Sequence, residues 1–219
     1  MKNQFSENEF DIVKKIIHLG LIRAAASLSQ LIKDEVELPD INFREEASEK
    51  HLLSCYSEED HYYLLSTKIA GELPAESFLI FDNINAIKLW DIVLPENMAG
   101  NHEMQIATLK EVDNILTASV VTEFSDLFSL NTYGEVPESY EFNYLELDKF
   151  LLENTNNYDF SFSFQTNLLA KDTKLSADFI WSIKKAFLPI LKRSIETQEI
   201  HQKIEKSIIS IKNNHNAKI

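Results

Sequence analysis

The run Ile16-Ile17-His18-Leu19-Gly20-Leu21-Ile22-Arg23-Ala24-Ala25-Ala26-Ser27-Leu28-Ser29-Gln30-Leu31 has a weak echo 96 residues on, Val112-Asp113-Asn114-Ile115-Leu116-Thr117-Ala118-Ser119-Val120-Val121-Thr122-Glu123-Phe124-Ser125-Asp126-Leu127. Ser29 meets Ser125 and Leu31 meets Leu127. Further on, Leu38-Pro39-Asp40 resembles Val136-Pro137-Glu138, at an offset of 98. Two amphipathic helices align by chance fairly often. The trailing proline at nearly the same distance argues for a duplication.

Outward from these runs, the periods are mixed. Ser6 and Glu9 form a capping box in front of Phe10, Val13, Ile17, Leu21 and Leu28, which predicts a helix to about Ile32. Val36–Phe43 reads as a strand interrupted by Pro39, and Tyr62–Ala70 with Ser77–Phe81 as a hairpin around Gly71 to Pro74. Asp82 or Asn83 caps a short helix to about Leu94, and the second long helix spans about Asn101 to Phe128. Strands follow at Asn131–Val136 and Tyr140–Tyr144, then a short helix near Leu147–Glu153. The alternating run Tyr158 to Phe164 is expected to pair with Leu175–Trp181, and a helix runs from about Pro189 to Ile211. We therefore expect one α+β domain over residues 1–219, built of two pseudo-repeats at about 8–95 and 101–190 with a C-terminal helical extension at 189–219.

Composition narrows the partners. The net charge of −14 repels phosphate backbones and anionic membrane surfaces, so neither nucleic acid nor membrane is an expected partner. A basic protein rim would be attracted, although acidity also serves solubility alone. No stretch has the roughly 18–20 apolar residues of a membrane span. Met1 to Asp11 lacks the order of a signal peptide, and the single Cys55 cannot form an internal disulfide; both point to the cytoplasm.

On the second long helix, Leu109, Val112, Leu116, Val120, Phe124 and Leu127 fall within an arc of roughly 120° and form the core side. Ala107, Glu111, Asn114, Ala118 and Ser125 lie opposite, with Glu111 and Asn114 one above the other. Their small neighbours would let a partner approach closely, whereas a merely solvated face more often carries long side chains, as Glu123 and Asp126 do nearby. Asp113 misfits: it projects towards the apolar arc, near its edge, and either it finds a polar partner or the helix rotates.

Leu109-Lys110-Glu111-Val112-Asp113-Asn114-Ile115-Leu116 resembles the Glu-x-x-Asn signature of the CheC/CheX/FliY family of response-regulator phosphatases. An Ala-rich helix and a proline some twenty residues on, here Pro137, complete the likeness. The resemblance implies a CheC-like fold: a pseudo-symmetric, antiparallel-rich sheet with two long helices packed on one face, to which this chain adds a C-terminal helix. It also implies that the helix docks a phosphorylated CheY-like receiver domain and that the protein acts as an aspartyl-phosphate phosphatase. Glu111 would pair with the receiver's lysine and Asn114 would orient the attacking water. Mg²⁺ would come from the partner, so no cofactor of the chain's own is implied. The first copy is degenerate: Asp11 fits the leading position, but Lys15 replaces the acid and His18 the asparagine. In the second copy the leading position is Ala107. A catalytically inactive CheC-like adaptor that binds a signalling partner is the alternative, and a chance motif on an unrelated α+β protein a third.

Other residues carry less. His51 and Cys55 are four apart, a spacing that would put them on one face of a helix, but two ligands without a third are weak evidence for zinc. Phe160, Phe162 and Phe164 read as sheet core. Ile200, Ile204, Ile208 and Ile211 form an apolar stripe that covers the sheet or binds a second copy or another helix.

Overall fold

A computed structural model describes residues 6–37, 41–44, 60–155, 157–158, 160–170, 173–197 and 199–216. The predicted capping box forms: Ser6 Oγ accepts from the Glu9 amide at 3.3 Å and Glu9 Oε2 from the Ser6 amide at 2.7 Å. It opens α1 (Glu7–Ile32). Two short strands follow, β1 (Val36–Glu37) and β2 (Ile41–Arg44), one on either side of Pro39, which lies outside the described residues. The predicted hairpin is β3 (His61–Gly71) and β4 (Ala75–Asp82). Its turn requires glycine: Gly71 has φ +96°, and a Cβ there would lie 2.2 Å from the Asn131 carbonyl. Asp82 then caps α2 (Asn83–Val93), accepting from the Asn85 amide at 2.7 Å.

The second half repeats this order. Asn101 caps α3 (His102–Phe128), followed by β5 (Thr132–Gly134) and β6 (Glu138–Asn143). After α4 (Tyr144–Thr155) comes the long hairpin β7 (Phe160–Ala170) and β8 (Thr173–Ile183). The helix expected from Pro189 to Ile211 is instead two, α5 (Leu188–Glu196) and α6 (Glu199–Asn216). Thr197 ends the first, its hydroxyl bonding back to the Ser194 carbonyl at 3.1 Å. The break lets α6 fold back and bury Ile200 and Ile204 in the chain's own core, with Ile208 packed against it; Ile211 lies outside the described side chains.

The strands form one antiparallel sheet in the order β1-β7-β8-β4-β3-β5, with β2 also on β7 and β6 also on β3. This order is a palindrome under the repeat. Exchanging β1 with β5, β3 with β7 and β4 with β8 reverses it, and each half lends its first two strands to the other half's hairpin. The pseudo-symmetric α+β sheet expected from the sequence is what the chain forms. The two long helices pack together on one face, over Leu65, Leu79, Phe179 and Trp181. The other face is covered by α4, whose Leu147 and Leu151 meet Tyr62, Leu64, Phe78, Ile80 and Ile180. Phe160, Phe162 and Phe164 lie on β7, but their side chains are outside the described set.

The helix ends show the repeat atom by atom. Lys33 and Ser129, 96 apart, are both left-handed caps with φ of 58° and 56°. Their amides bond the carbonyls of Ser29 and Ser125, the serine pair that aligned in sequence. A β-carbon in this conformation costs about 1 kcal/mol. Ser129→Gly is therefore expected to stabilise the protein by about that amount, read as a rise of roughly 2–4 °C in Tm.

Candidate functional site

The site begins with how α3 is held. Leu109, Val112, Leu116, Val120, Phe124 and Leu127 are all buried, as expected. Phe124 stacks with Trp181 of β8 at 6.0 Å and meets Phe187 edge-on at 5.8 Å. Near the N-terminus of α3, the indole Nε1 of Trp90 from α2 donates to the Gln105 carbonyl at 3.0 Å. At its C-terminus, Lys203 Nζ from α6 donates to the Leu127 carbonyl at 3.0 Å. Both ends of the helix are thus gripped by side chains on its own carbonyls.

The outward side is a strip of Ala107, Glu111, Asn114, Ala118 and Thr122, all exposed. Spacings of four, three, four and four keep them in one row. Glu111 and Asn114 stand at its centre between two alanines, and α6, gripping the far end of α3 at Leu127, leaves them open. Such a row presents one anionic oxygen pair and one carboxamide, the latter able to donate and accept together. Two residues depart from the expected strip. Ser125 is half-buried, its hydroxyl donating to the Leu130 carbonyl at 2.6 Å. Glu123, expected on the solvated side, is 1% exposed and pairs with Arg23 Nε at 2.6 Å. Burial raises the Glu123 pKa while Arg23 opposes the rise. The ion pair ties α1 to α3 directly.

The equivalent strip on α1 holds Asp11, Lys15 and His18, and these too are exposed, in the same spacing. Lys15 is engaged by Asp11 at 2.6 Å. Partial desolvation lowers the His18 pKa. The two strips do not join into one site; they are pseudo-symmetric copies, one bearing acid and amide, the other lysine and imidazole. Pro137, the trailing proline, is buried in the turn between β5 and β6, while its neighbour Val136 is exposed. A β-carbon on Gly134, at the start of that turn, would lie 3.4 Å from the Thr67 methyl and 3.7 Å from that of Thr117. His51 and Cys55 lie outside the described residues.

Beneath the strip lies a polar cluster that the sequence signalled only through Asp113. This carboxyl is fully buried, and Thr67 Oγ1 of β3 donates to its Oδ2 at 2.5 Å. One turn on, Thr117 Oγ1 lies 3.0 Å from Ser77 Oγ of β4. The signal for the partners was present: Thr67 and Ser77 are polar residues in the inward register of otherwise apolar strands, between Leu65 and Ile69 and between Ala75 and Leu79. Burial raises the Asp113 pKa to about 7, against the opposing pull of the Thr67 and Thr117 hydroxyls.

That shift has a sign. Between the unfolded pKa near 4 and the folded value of about 7, the native state holds one more proton, so stability falls as pH rises through this window. Asp113→Asn is expected to remove the effect. The stability gap between variant and parent should move by roughly 3 kcal/mol in the variant's favour from pH 5 to pH 8. Urea unfolding at the two pH values measures it.

Among the described residues no three His, Cys, Asp or Glu side chains are placed to hold a metal ion together, and no helix is long and apolar enough to cross a membrane. No family model matches the chain. Solved structures do. FliY from Thermotoga maritima superposes with a TM-score of 0.64 at 16% identity, covering 91% of this chain and 99% of that one. The FliM middle domain from H. pylori gives 0.56 at 10% identity, covering 86% and 99%. A chain of the CheX-CheY-BeF3-Mg²⁺ complex from Borrelia burgdorferi gives 0.50 at 16%, covering 77% and 97%. The palindromic sheet, the paired long helices and these superpositions agree: the chain has the fold of the CheC/CheX/FliY family.

Proposed function

We propose that this chain docks a phosphorylated CheY-like receiver domain along the exposed row of α3 and hydrolyses its aspartyl phosphate, as a regulator in chemotaxis or related two-component signalling. The observation that carries the reading is the outward pairing of Glu111 and Asn114 at the centre of a row flanked by alanines. Alanines let a partner's surface approach the helix, and Glu111 offers the charge that a receiver's active-site lysine would seek. Asn114, one turn away, then faces the acyl phosphate. Its carbonyl oxygen accepts a hydrogen bond from the water, its NH₂ group holds the water in line, and the water's protons leave with the phosphate. Water oxygen bonds to phosphorus as the phosphorus–carboxylate bond breaks, leaving inorganic phosphate and the receiver's free aspartate. Such a reaction asks for positioning and charge stabilisation rather than a new covalent bond to the enzyme. The Mg²⁺ that neutralises the phosphoryl oxygens belongs to the receiver. That a CheX relative is known in complex with CheY supports the choice of partner.

A second reading is an adaptor that binds such a partner without hydrolysis. Ala107 at the leading position, and Lys15 with His18 in the other copy, favour it. The FliM domain has the same fold, and in H. pylori it is known in a complex with FliG. Phosphate release from receiver domains of the same organism, charged with acyl phosphate in Mg²⁺, separates the two. Acceleration supports the phosphatase. Binding with an unchanged rate of release leaves the adaptor, and neither binding nor acceleration by any receiver removes both.

A further inference from the structure

We propose that Asp113 is a positioning residue for Glu111 and Asn114: its buried carboxyl, bonded to Thr67 of β3, sets the roll of α3 on the sheet and hence the direction of the row. The inference rests on the docking reading for its activity readout, but not for its structural one.

The geometry of the helix makes the link. Successive side chains are about 100° apart. An inward Asp113 therefore places Glu111 almost opposite it and Asn114 about a quarter-turn aside. Burial of the apolar arc alone holds such a helix loosely in roll, because hydrophobic contact is non-directional and the arc spans roughly 120°. A hydrogen bond is directional. Thr67 Oγ1 to Asp113 Oδ2 at 2.5 Å is one such bond, and Thr117 facing Ser77 at 3.0 Å gives a second polar contact one turn later. Ser77 in turn bonds the Thr67 carbonyl at 3.4 Å, joining β3, β4 and α3 in one network. These contacts lie within the stretch of α3 that bears the row, Ala107 to Thr122. The end grips, Trp90 on the Gln105 carbonyl and Lys203 on that of Leu127, fix its position lengthwise. A carboxyl here is costly to bury, and valine would fill the space more cheaply. The polar choice needs a reason beyond stability, and direction is one.

The test replaces Asp113 in the full chain by Val, which removes the acceptor, and by Asn, which keeps it. A nitroxide label on Ala118→Cys, in a Cys55→Ser background, reports the direction of the row. Asp113→Val is expected to fold, with Tm at or above that of the parent at pH 8, while phosphate release falls at least tenfold and the label's collision accessibility changes. Asp113→Asn is expected to keep release within threefold and leave the label unmoved. This rescue is what a mere packing role would not produce. Release and label both unchanged in Asp113→Val would overturn the proposal, as would Asn failing as badly as Val. Should Asp113→Val fail to fold, Thr67→Val removes the bond from the other side and carries the same expectations. If the parent protein releases no phosphate, the docking phosphatase reading fails, and the label comparison alone decides this one.

Discussion

Asn114→Ala is expected to lose at least about 100-fold in the rate of phosphate release while its affinity for the phosphorylated receiver stays within about threefold. The size follows from the role. A group that only orients water contributes through geometry and a developing hydrogen bond, and losses of 10²-fold or more are usual when such a group is removed. Asn114 is exposed on a helix whose inward arc is intact without it, so the change leaves the fold untouched. Glu111→Lys should behave in the opposite way. It copies into the second row the residue that α1 already carries as Lys15, and it turns attraction for a receiver lysine into repulsion. Truncating a desolvated charge pair costs about 2 kcal/mol or more, so affinity should fall at least about 30-fold. Rate at saturating protein would then separate the two residues: reduced for Asn114→Ala, largely recovered for Glu111→Lys. His18→Ala on the other row is the internal control and should change neither quantity by more than twofold. Loss from His18→Ala with none from Asn114→Ala would place the active row on α1 instead.

The parts of this molecule that could be read from residues alone are those governed by local rules. The capping box at Ser6 and Glu9 and the apolar arc of α3 are short-range and appear as read, and of the two residues offered as cap of α2 it is Asp82 that caps. So does the outward placement of Glu111 and Asn114, because it follows from helical spacing once the apolar arc is known. The repeat was legible in outline, and its most telling coincidence, Ser29 with Ser125, proves to be the pair whose carbonyls close both helices. What escaped depends on tertiary partners. Glu123 reads as a solvent residue by type, and only the arrival of Arg23 from α1 makes its burial tolerable. The exchange of strands between halves, β1 and β2 onto β7 and β5 and β6 onto β3, has no signature within any single segment. The break at Thr197 was hidden because neither glycine nor proline stands between Ile190 and Ile211 to mark it.

Gly20→Leu is expected to prevent stable folding, and Gly20→Ala to destabilise the protein by about 1–2 kcal/mol. On an isolated helix the second change would be favourable, since alanine exceeds glycine in helix propensity by about 1 kcal/mol. Here α1 and α3 meet almost backbone to backbone. A β-carbon on Gly20 would lie 2.6 Å from Val120 Cα, 2.8 Å from its Cγ2 and 3.0 Å from its amide nitrogen. A side-chain clash can be relieved by changing rotamer; a clash with Cα requires the helices to move apart. Forcing groups into a packed core typically costs about 1–3 kcal/mol, which outweighs the propensity gain for alanine. A leucine multiplies the conflict. Two comparisons isolate the cause. Gly100→Ala, whose added carbon meets nothing within 4 Å, should leave Tm unchanged or slightly higher. Adding Val120→Ala to Gly20→Ala should not restore stability, since it clears Cγ2 but leaves Cα and the amide in place. Recovery in that double variant would show that the contact is one of side chains and that the helices are free to sit closer. Because α3 carries both Val120 and the row of Glu111 and Asn114, the same substitution connects core to site. Gly20→Ala, still folded at 20 °C, should also lose phosphate release beyond what its unfolded fraction explains, by an amount that stability measured alone would not predict.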